Sequence, residues 1–251
     1  MDLNLVGKRV LVTGGTRGIG AAIVKTFLME GADVAFCARN SEQVDAVTAT
    51  LQVEGYTVYG AVCDVSDTQS YIHWIEEAVA KLGGVDIFVP NVSGGAHAGD
   101  EGWNSAFQID LMGVVKGCET ILPHLASKGG SIVVITSIAG LEATGGVSAY
   151  NTVKTGLITY ASQLGEMVAR HNVRVNCVSP GPVYVEDGFW GQIEKNQSDT
   201  FKAVCAAHPL DRMATTQEVA NAVVFLASPL ASWVTRTNLI VDGGFTRRVQ
   251  F

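Results

Sequence analysis

The 251-residue sequence has no apolar run approaching the roughly 20 residues that a membrane-spanning helix needs. Its opening, Met1 to Lys8, lacks the basic-then-apolar pattern of a secretory leader. These absences predict a cytoplasmic protein. Basic clusters are as scarce: Lys8-Arg9 and Arg247-Arg248 are the only adjacent basic pairs, and the formal net charge is -7. Such a surface does not attract nucleic acid or anionic lipid, so neither partner is expected. Cysteine is sparse and unpaired in spacing. Cys37, Cys63, Cys118, Cys177 and Cys205 fit neither a disulfide framework nor a metal site, and read as buried free thiols. There is no internal repeat and no low-complexity linker. With 47% hydrophobic residues, the chain predicts one domain over 1–251.

What is present begins with a glycine turn. Thr13-Gly14-Gly15-Thr16-Arg17-Gly18-Ile19-Gly20 lies between the apolar run Val10-Leu11-Val12 and an apolar-periodic segment from Ala21 to Leu28. A strand that ends in glycines and reopens as a helix points backbone N–H groups and the positive end of a helix dipole at one spot, which suits a phosphate. Ordinary tight turns share such spacings, so the motif draws its meaning from its place after a strand.

Apolar runs of strand length recur at Arg9 to Thr13, Val34 to Ala38, Thr57 to Cys63, Asp86 to Val89, Ser131 to Thr136, Val173 to Val178 and Asn238 to Val241. Between them, residues 18–30, 41–53, 67–82, 103–126, 149–170 and 215–227 have helical length and period. Strands alternating with helices predict an α/β fold, a doubly wound parallel sheet with helices on both faces and binding at the carboxyl ends of the strands. The one long departure, Gly181 to Arg212, is rich in Pro, Gly and aromatics and is a candidate lid at about 182–212.

The second strand runs into Ala38-Arg39-Asn40, where an NAD-binding unit would place a carboxylate against the ribose hydroxyls. Arg39 stands there instead. With Arg17 in the glycine turn, two guanidiniums could flank the 2′-phosphate that distinguishes NADP from NAD. After the third strand, Asp64 could accept from an adenine amino group or cap the next helix, for which Ser66 is an equal candidate. Tyr150 and Lys154 stand at i and i+4, on one helical face. An ammonium beside a phenol, whose reference pKa is about 10, favours the phenolate and makes Tyr150 a plausible general acid and base. Ser137, at the end of the strand Ser131 to Thr136, could hold a carbonyl oxygen beside that phenol.

Taken together, these motifs resemble the short-chain dehydrogenase/reductase family. The glycine turn is similar to its TGxxxGxG, Tyr150 to Lys154 to its YxxxK, and Ser137 lies where that family places its serine. Val178-Ser179-Pro180-Gly181 resembles its PG turn, and Val241-Asp242-Gly243-Gly244 its C-terminal motif. The resemblance covers nearly the whole chain and implies a Rossmann-like fold with Ser137, Tyr150, Lys154 and Asp110 at the catalytic positions. Implied cofactor contacts are Gly14, Thr16, Arg17, Gly18, Ile19 and Gly20 in the turn, then Arg39, Asp64 and Val65 after the second and third strands. Asn91, Tyr150, Lys154, Pro180, Gly181 and Val183 complete that set. Relatives often form homotetramers or homodimers through the helices that correspond to 103–126 and 149–170.

Three departures stand out. The family's Asn-Asn-Ala-Gly reads Pro90-Asn91-Val92-Ser93 here, which brings Ser93 toward the substrate side. Val185 replaces a threonine after the PG turn. Asp110 occupies the position of the family's helix asparagine. If a backbone carbonyl is what matters there, the change is mild; if the carboxylate pairs with Lys154, it draws the ammonium from Tyr150. The first account is the expectation. The reading is an NADP(H)-dependent reductase that converts a ketone or aldehyde to an alcohol, with Ser93, His97, Ser137, Tyr184 and Trp190 toward a small, mainly apolar or ring-containing substrate, and no metal. The lid aromatics could instead only anchor the lid, and His97 could be a plain surface histidine. The rivals are a non-catalytic NADP-binding regulator or scaffold and an NAD-dependent alcohol dehydrogenase.

Overall fold

The structure is a computed structural model that describes residues 2–143, 146–247 and 249, so Met1 and Arg248 of the stretches named above lie outside the described residues. Seven strands form one parallel sheet: β1 (Arg9–Thr13), β2 (Asp33–Ala38), β3 (Val58–Val62), β4 (Ile87–Val89), β5 (Gly130–Ile135), β6 (Val173–Pro180) and β7 (Asn238–Val241). Their order is β3-β2-β1-β4-β5-β6-β7. The chain therefore winds outward from β1 in one direction and returns across it to β4 in the other. That reversal opens a crevice at the carboxyl ends of β1 and β4.

The helices are α1 (Gly18–Met29), α2 (Ser41–Val53), α3 (Thr68–Leu82), α4 (Gly99–Ser105), α5 (Gly113–Ala126), α6 (Ala149–Val168), α7 (Phe189–Asn196), α8 (Ser198–Ala207) and α9 (Thr216–Ala227). Alternation along the strands builds two cores. Leu11, Ile132 and Val134 face α3, α5 and α6, while Val10, Val12 and Val133 face α1 and α9. A fully buried aliphatic side chain of this kind contributes about 1.5–3 kcal/mol, so both faces of the sheet drive folding. Helices α2, α6 and α9 start where side chains accept orphan N–H groups: Asn40 from Gln43, Ser148 from Asn151, and Thr215 with Glu218 in a reciprocal capping box. Among the described residues, no helix is long and apolar enough to cross a membrane.

Two local expectations are corrected. The helix expected over 103–126 is α4, a π-helical stretch Ala106–Met112, and α5, because one turn too wide leaves the apolar period almost unchanged. Neither Asp64 nor Ser66 caps α3. Asp64 Oδ1 accepts from the backbone and hydroxyl of Ser66, and Asp67 accepts from the N–H groups of Gln69 and Ser70. The candidate lid segment holds α7 and α8. The thiols of Cys37, Cys63, Cys118 and Cys177 are buried and that of Cys205 half-buried, all free. Burial pushes Cys118 and Cys177 up to about 12, which removes them as thiolate nucleophiles near neutral pH.

Asp86, just before β4, ties the amino ends of the strands together. It accepts two side-chain hydrogen bonds from Arg9, at 2.8 and 3.0 Å, and lies 3.0 Å from Lys128 Nζ. Burial raises its carboxyl, but hydrogen bonds from Arg9 and Lys128 outweigh this and hold it well below the usual range. Its stabilising contribution is therefore complete above the unfolded value of about 3.9 and lost as pH falls through the folded value. Asp86→Asn should lower the melting temperature at pH 7 and flatten its decline below about pH 4. An unchanged acid limb in thermal melts would place the acid sensitivity elsewhere.

Candidate active site

The dinucleotide turn is built where β1 stops. Gly14 and Gly18 hold φ of +73° and +56°, the left-handed region that side chains disfavour. A Cβ on Gly20 would stand 2.0 Å from the Gly14 carbonyl oxygen, so only glycine lets α1 start this close to the strand. Asn91 stands across the turn, where its side-chain amide donates to the carbonyls of Thr13 and Gly14, at 2.9 and 3.3 Å, and its backbone N–H to Thr13 Oγ1. It thus fixes the shape of the turn from β4. Ile19 packs at the edge of the core, and Thr16 Oγ1 reaches Gln43 on α2 at 3.3 Å. Arg17 and Arg39 are exposed and carry no ion pair with any described carboxylate. Asp64 is half-buried and Val65 buried just after β3.

The catalytic candidates meet beyond β4 and β5. Ser137 follows β5 and opens a short 3-10 turn, Ile138–Gly140, with its Oγ accepting the Ala139 N–H at 3.1 Å. Tyr150 lies in the first turn of α6, half-buried, with Lys154 one turn on and 2% exposed. Lys154 Nζ donates to the Ile135 carbonyl at 3.1 Å, lies 5.5 Å from the Tyr150 ring centre, and stands 3.1 Å from Asp110 Oδ1. That approach to Oδ1 is an ion pair and misses hydrogen-bond alignment. Oδ2 of the same fully buried carboxylate accepts the Gly94 N–H at 2.9 Å. Of the two accounts of Asp110, the structure shows the carboxylate pairing. The π-helical stretch carries the residue, and the rate of Asp110→Asn decides between this pairing and the backbone carbonyl as the feature that matters.

The candidate lid begins and ends at one place. Val183 bridges Ala214, Tyr184 N–H donates to the Ala214 carbonyl, and Ala214 N–H to the Pro182 carbonyl, so α7 and α8 hang from a pinned base. Pro180 ends β6, and Gly181 donates to the Val241 carbonyl with no room for a Cβ against Asp242. Val185, where the family's threonine was expected, lies 3.8 Å from where a Gly18 Cβ would be. The Tyr184 hydroxyl donates to Glu194 at 2.6 Å, and its ring meets Phe201 edge-on at 5.8 Å. Trp190 packs edge-on against Phe189 at 5.1 Å. Ser93 is exposed with its Oγ accepting from Gly95 N–H, and His97 is exposed in the same loop.

Two positioning features escaped the sequence reading. A Cβ on Gly140 would stand 2.7 Å from the Lys154 carbonyl carbon, so this glycine lets α6 press its catalytic face onto the Ser137 turn, and Thr155 Oγ1 donates to the Gly140 carbonyl at 2.8 Å. A buried chain runs from Thr136 Oγ1 to Ser179 Oγ, 2.7 Å, and on to Asn238 Oδ1, 2.8 Å, and locks the ends of β5, β6 and β7 beneath Ser137. Small and hydroxyl residues at strand ends were the available signal, and they are too common to stand out.

This fold and this arrangement define a nicotinamide-type oxidoreductase scaffold. The family model described as enoyl-(acyl carrier protein) reductase matches residues 14–246. The chain belongs to the short-chain dehydrogenase/reductase family. Isoepoxydon dehydrogenase patN of Penicillium expansum is 37% identical, over 100% of this chain and 99% of that protein. An NADPH-bound short-chain oxidoreductase of Pseudomonas aeruginosa, described as containing an atypical catalytic center, is 30% identical with a TM-score of 0.90, covering 97% of this chain and 99% of that one. L-sorbose reductase of Gluconobacter frateurii, solved with NADPH and L-sorbose, has a TM-score of 0.92 at 28% identity, with coverage of 99% and 100%. Hydride-transfer oxidoreduction is what these relatives share.

Proposed function

We propose that the chain reduces a ketone or aldehyde to an alcohol with NADPH, reversibly. The observation that carries this is the buried Lys154 ammonium on the face of α6 that bears Tyr150, beside Ser137 and beyond the glycine turn. The turn fits a dinucleotide, because positive φ at Gly14 and Gly18 and the close approach at Gly20 leave backbone N–H groups uncovered at the start of α1. Residues 14 to 20, with Asn91 behind them, would hold the pyrophosphate side, and Pro180, Gly181 and Val183 the nicotinamide side. When bound, the cofactor supplies the hydride. Ser137 Oγ would hold the carbonyl oxygen, Tyr150 would give it a proton, and Lys154 would orient the ribose. Trp190, Ser93 and His97 face the substrate; Tyr184, whose hydroxyl is committed to Glu194, props the lid. A cytoplasmic homotetramer or homodimer fits the exposed Trp103, Phe107 and Met167 on the α4-to-α6 side. A panel of carbonyl compounds incubated with NADPH should give absorbance loss for at least one class. NADPH binding with no turnover across the panel would favour a regulator instead.

Arg17 and Arg39, unpaired and exposed, with Ala38 in place of a carboxylate, favour NADP over NAD. A guanidinium contact to phosphate contributes about 1.5–3 kcal/mol, which corresponds to a preference for NADPH of at least about tenfold in kcat/KM. Ala38→Asp with Arg39→Leu should erode or reverse it. Equal use of both cofactors by the parent would overturn the assignment.

A further inference from the structure

At the far end of the sheet from Tyr150, the amino ends of β4, β5 and β6 and the last turn of α9 border a groove of about 230 Å³. Lys8, Lys128 and Arg174 line it against a single lining carboxylate, Asp86, a formal balance of three positive charges less one (3 − 1 = +2) on a chain whose net charge is -7. Asp86 is already shared between Arg9 and Lys128. The Arg174 guanidinium donates only to the carbonyls of Leu226, Ala227, Ser228 and Val234, so its charge has no carboxylate beside it. The Lys8 ammonium has no ion-pair or hydrogen-bond partner among the described residues. Ser131 supplies the second, independent observation: it lines the groove, is 2% exposed, and its Oγ lacks a hydrogen-bond partner among the described residues. A hydroxyl left so is the exception in folded proteins, and a bound group that accepts from it would remove the deficit.

We infer that this groove binds a small oxyanion, a phosphate or a carboxylate, with the Ser131 hydroxyl as hydrogen-bond donor and the Lys8 and Lys128 ammonium groups as counter-charges. An oxyanion answers the surplus of donors and positive charge together, which a cation or a neutral alcohol does not. Asp86 sets the limit on size and charge: its carboxylate repels a bulky polyanion pressed against that wall.

Inorganic phosphate and succinate, titrated separately at constant ionic strength in thermal melts of the full chain, test the site. The Arg17→Ala/Arg39→Ala background removes the 2′-phosphate contacts, and variants in the groove separate its binding from any anion held by the backbone N–H groups of the glycine turn. At least one anion should raise the melting temperature saturably beyond the chloride control, and which one does separates a phosphate from a carboxylate ligand. Lys8→Gln should weaken half-saturation by about tenfold, since one charge-assisted contact is lost, and Ser131→Ala should weaken it with the fold intact. Non-saturating rises for both anions, or half-saturation unmoved in both variants, would overturn the proposal, because salts excluded from protein surfaces stabilise without a site.

Discussion

Tyr150→Phe should lower kcat by about a hundredfold or more while leaving the fold and NADPH affinity in place. The variant removes one oxygen from a half-buried ring in the first turn of α6 and leaves the Ser148 cap and the Lys154 contacts with Ile135 and Asp110 untouched. A large fall in stability is therefore not expected. Steady-state rates beside fluorescence titration of NADPH separate chemistry from binding. Retention of most of the parent activity would remove Tyr150 as the acid. Lys154→Ala should behave differently, with cofactor affinity and rate falling together, because one ammonium serves both.

Asp110→Ala should be the most destabilising single change at the site. Removing one partner of a buried ion pair costs about 3–5 kcal/mol, because the other charge stays buried and uncompensated. Here that charge is Lys154, 2% exposed, and the Gly94 N–H loses its acceptor in the same step. Asp110→Asn keeps an oxygen for Gly94 and should retain more stability, yet kcat should fall by at least about tenfold, since the ammonium loses the charge that positions it. Chemical unfolding together with kcat for both variants checks this. If both stayed within tenfold of the parent in kcat, a backbone carbonyl alone would account for the position.

The sheet was legible because buried parallel strands write themselves as short apolar runs, and all seven runs correspond to strands with ends shifted by a residue or two. Motif spacing located the glycine turn and the Tyr150–Lys154 face of α6, against which the turn that follows Ser137 packs. What stayed hidden depends on backbone geometry that composition does not encode. The π-helical stretch at Ala106–Met112 has no sequence signature of its own, and its width appears only in the backbone hydrogen bonds. The lid helices were not assigned, because Pro, Gly and aromatics set the segment apart from the strand–helix alternation. The bond from the Tyr184 hydroxyl to Glu194, ten residues on, is a pairing that the sequence does not announce. Gly140 was one glycine among 28, and only the distance to Lys154 sets it apart.

The widened turn before α5 has a consequence for rotational phase. Each residue in an α-helix advances the side-chain direction by about 100°, and a wide turn is one residue of slack taken up inside the helix. Deleting a single residue between Asp110 and Gly113 would let the helix run through in uniform pitch and swing Asp110 by about that angle, away from Lys154, with composition and apolar period almost unchanged. Such a deletion should resemble Asp110→Ala in activity, and it would turn the buried Ala106 away from its packing in the same movement. A deletion variant with parental turnover would mean that the phase of this helix is not what aims the carboxylate.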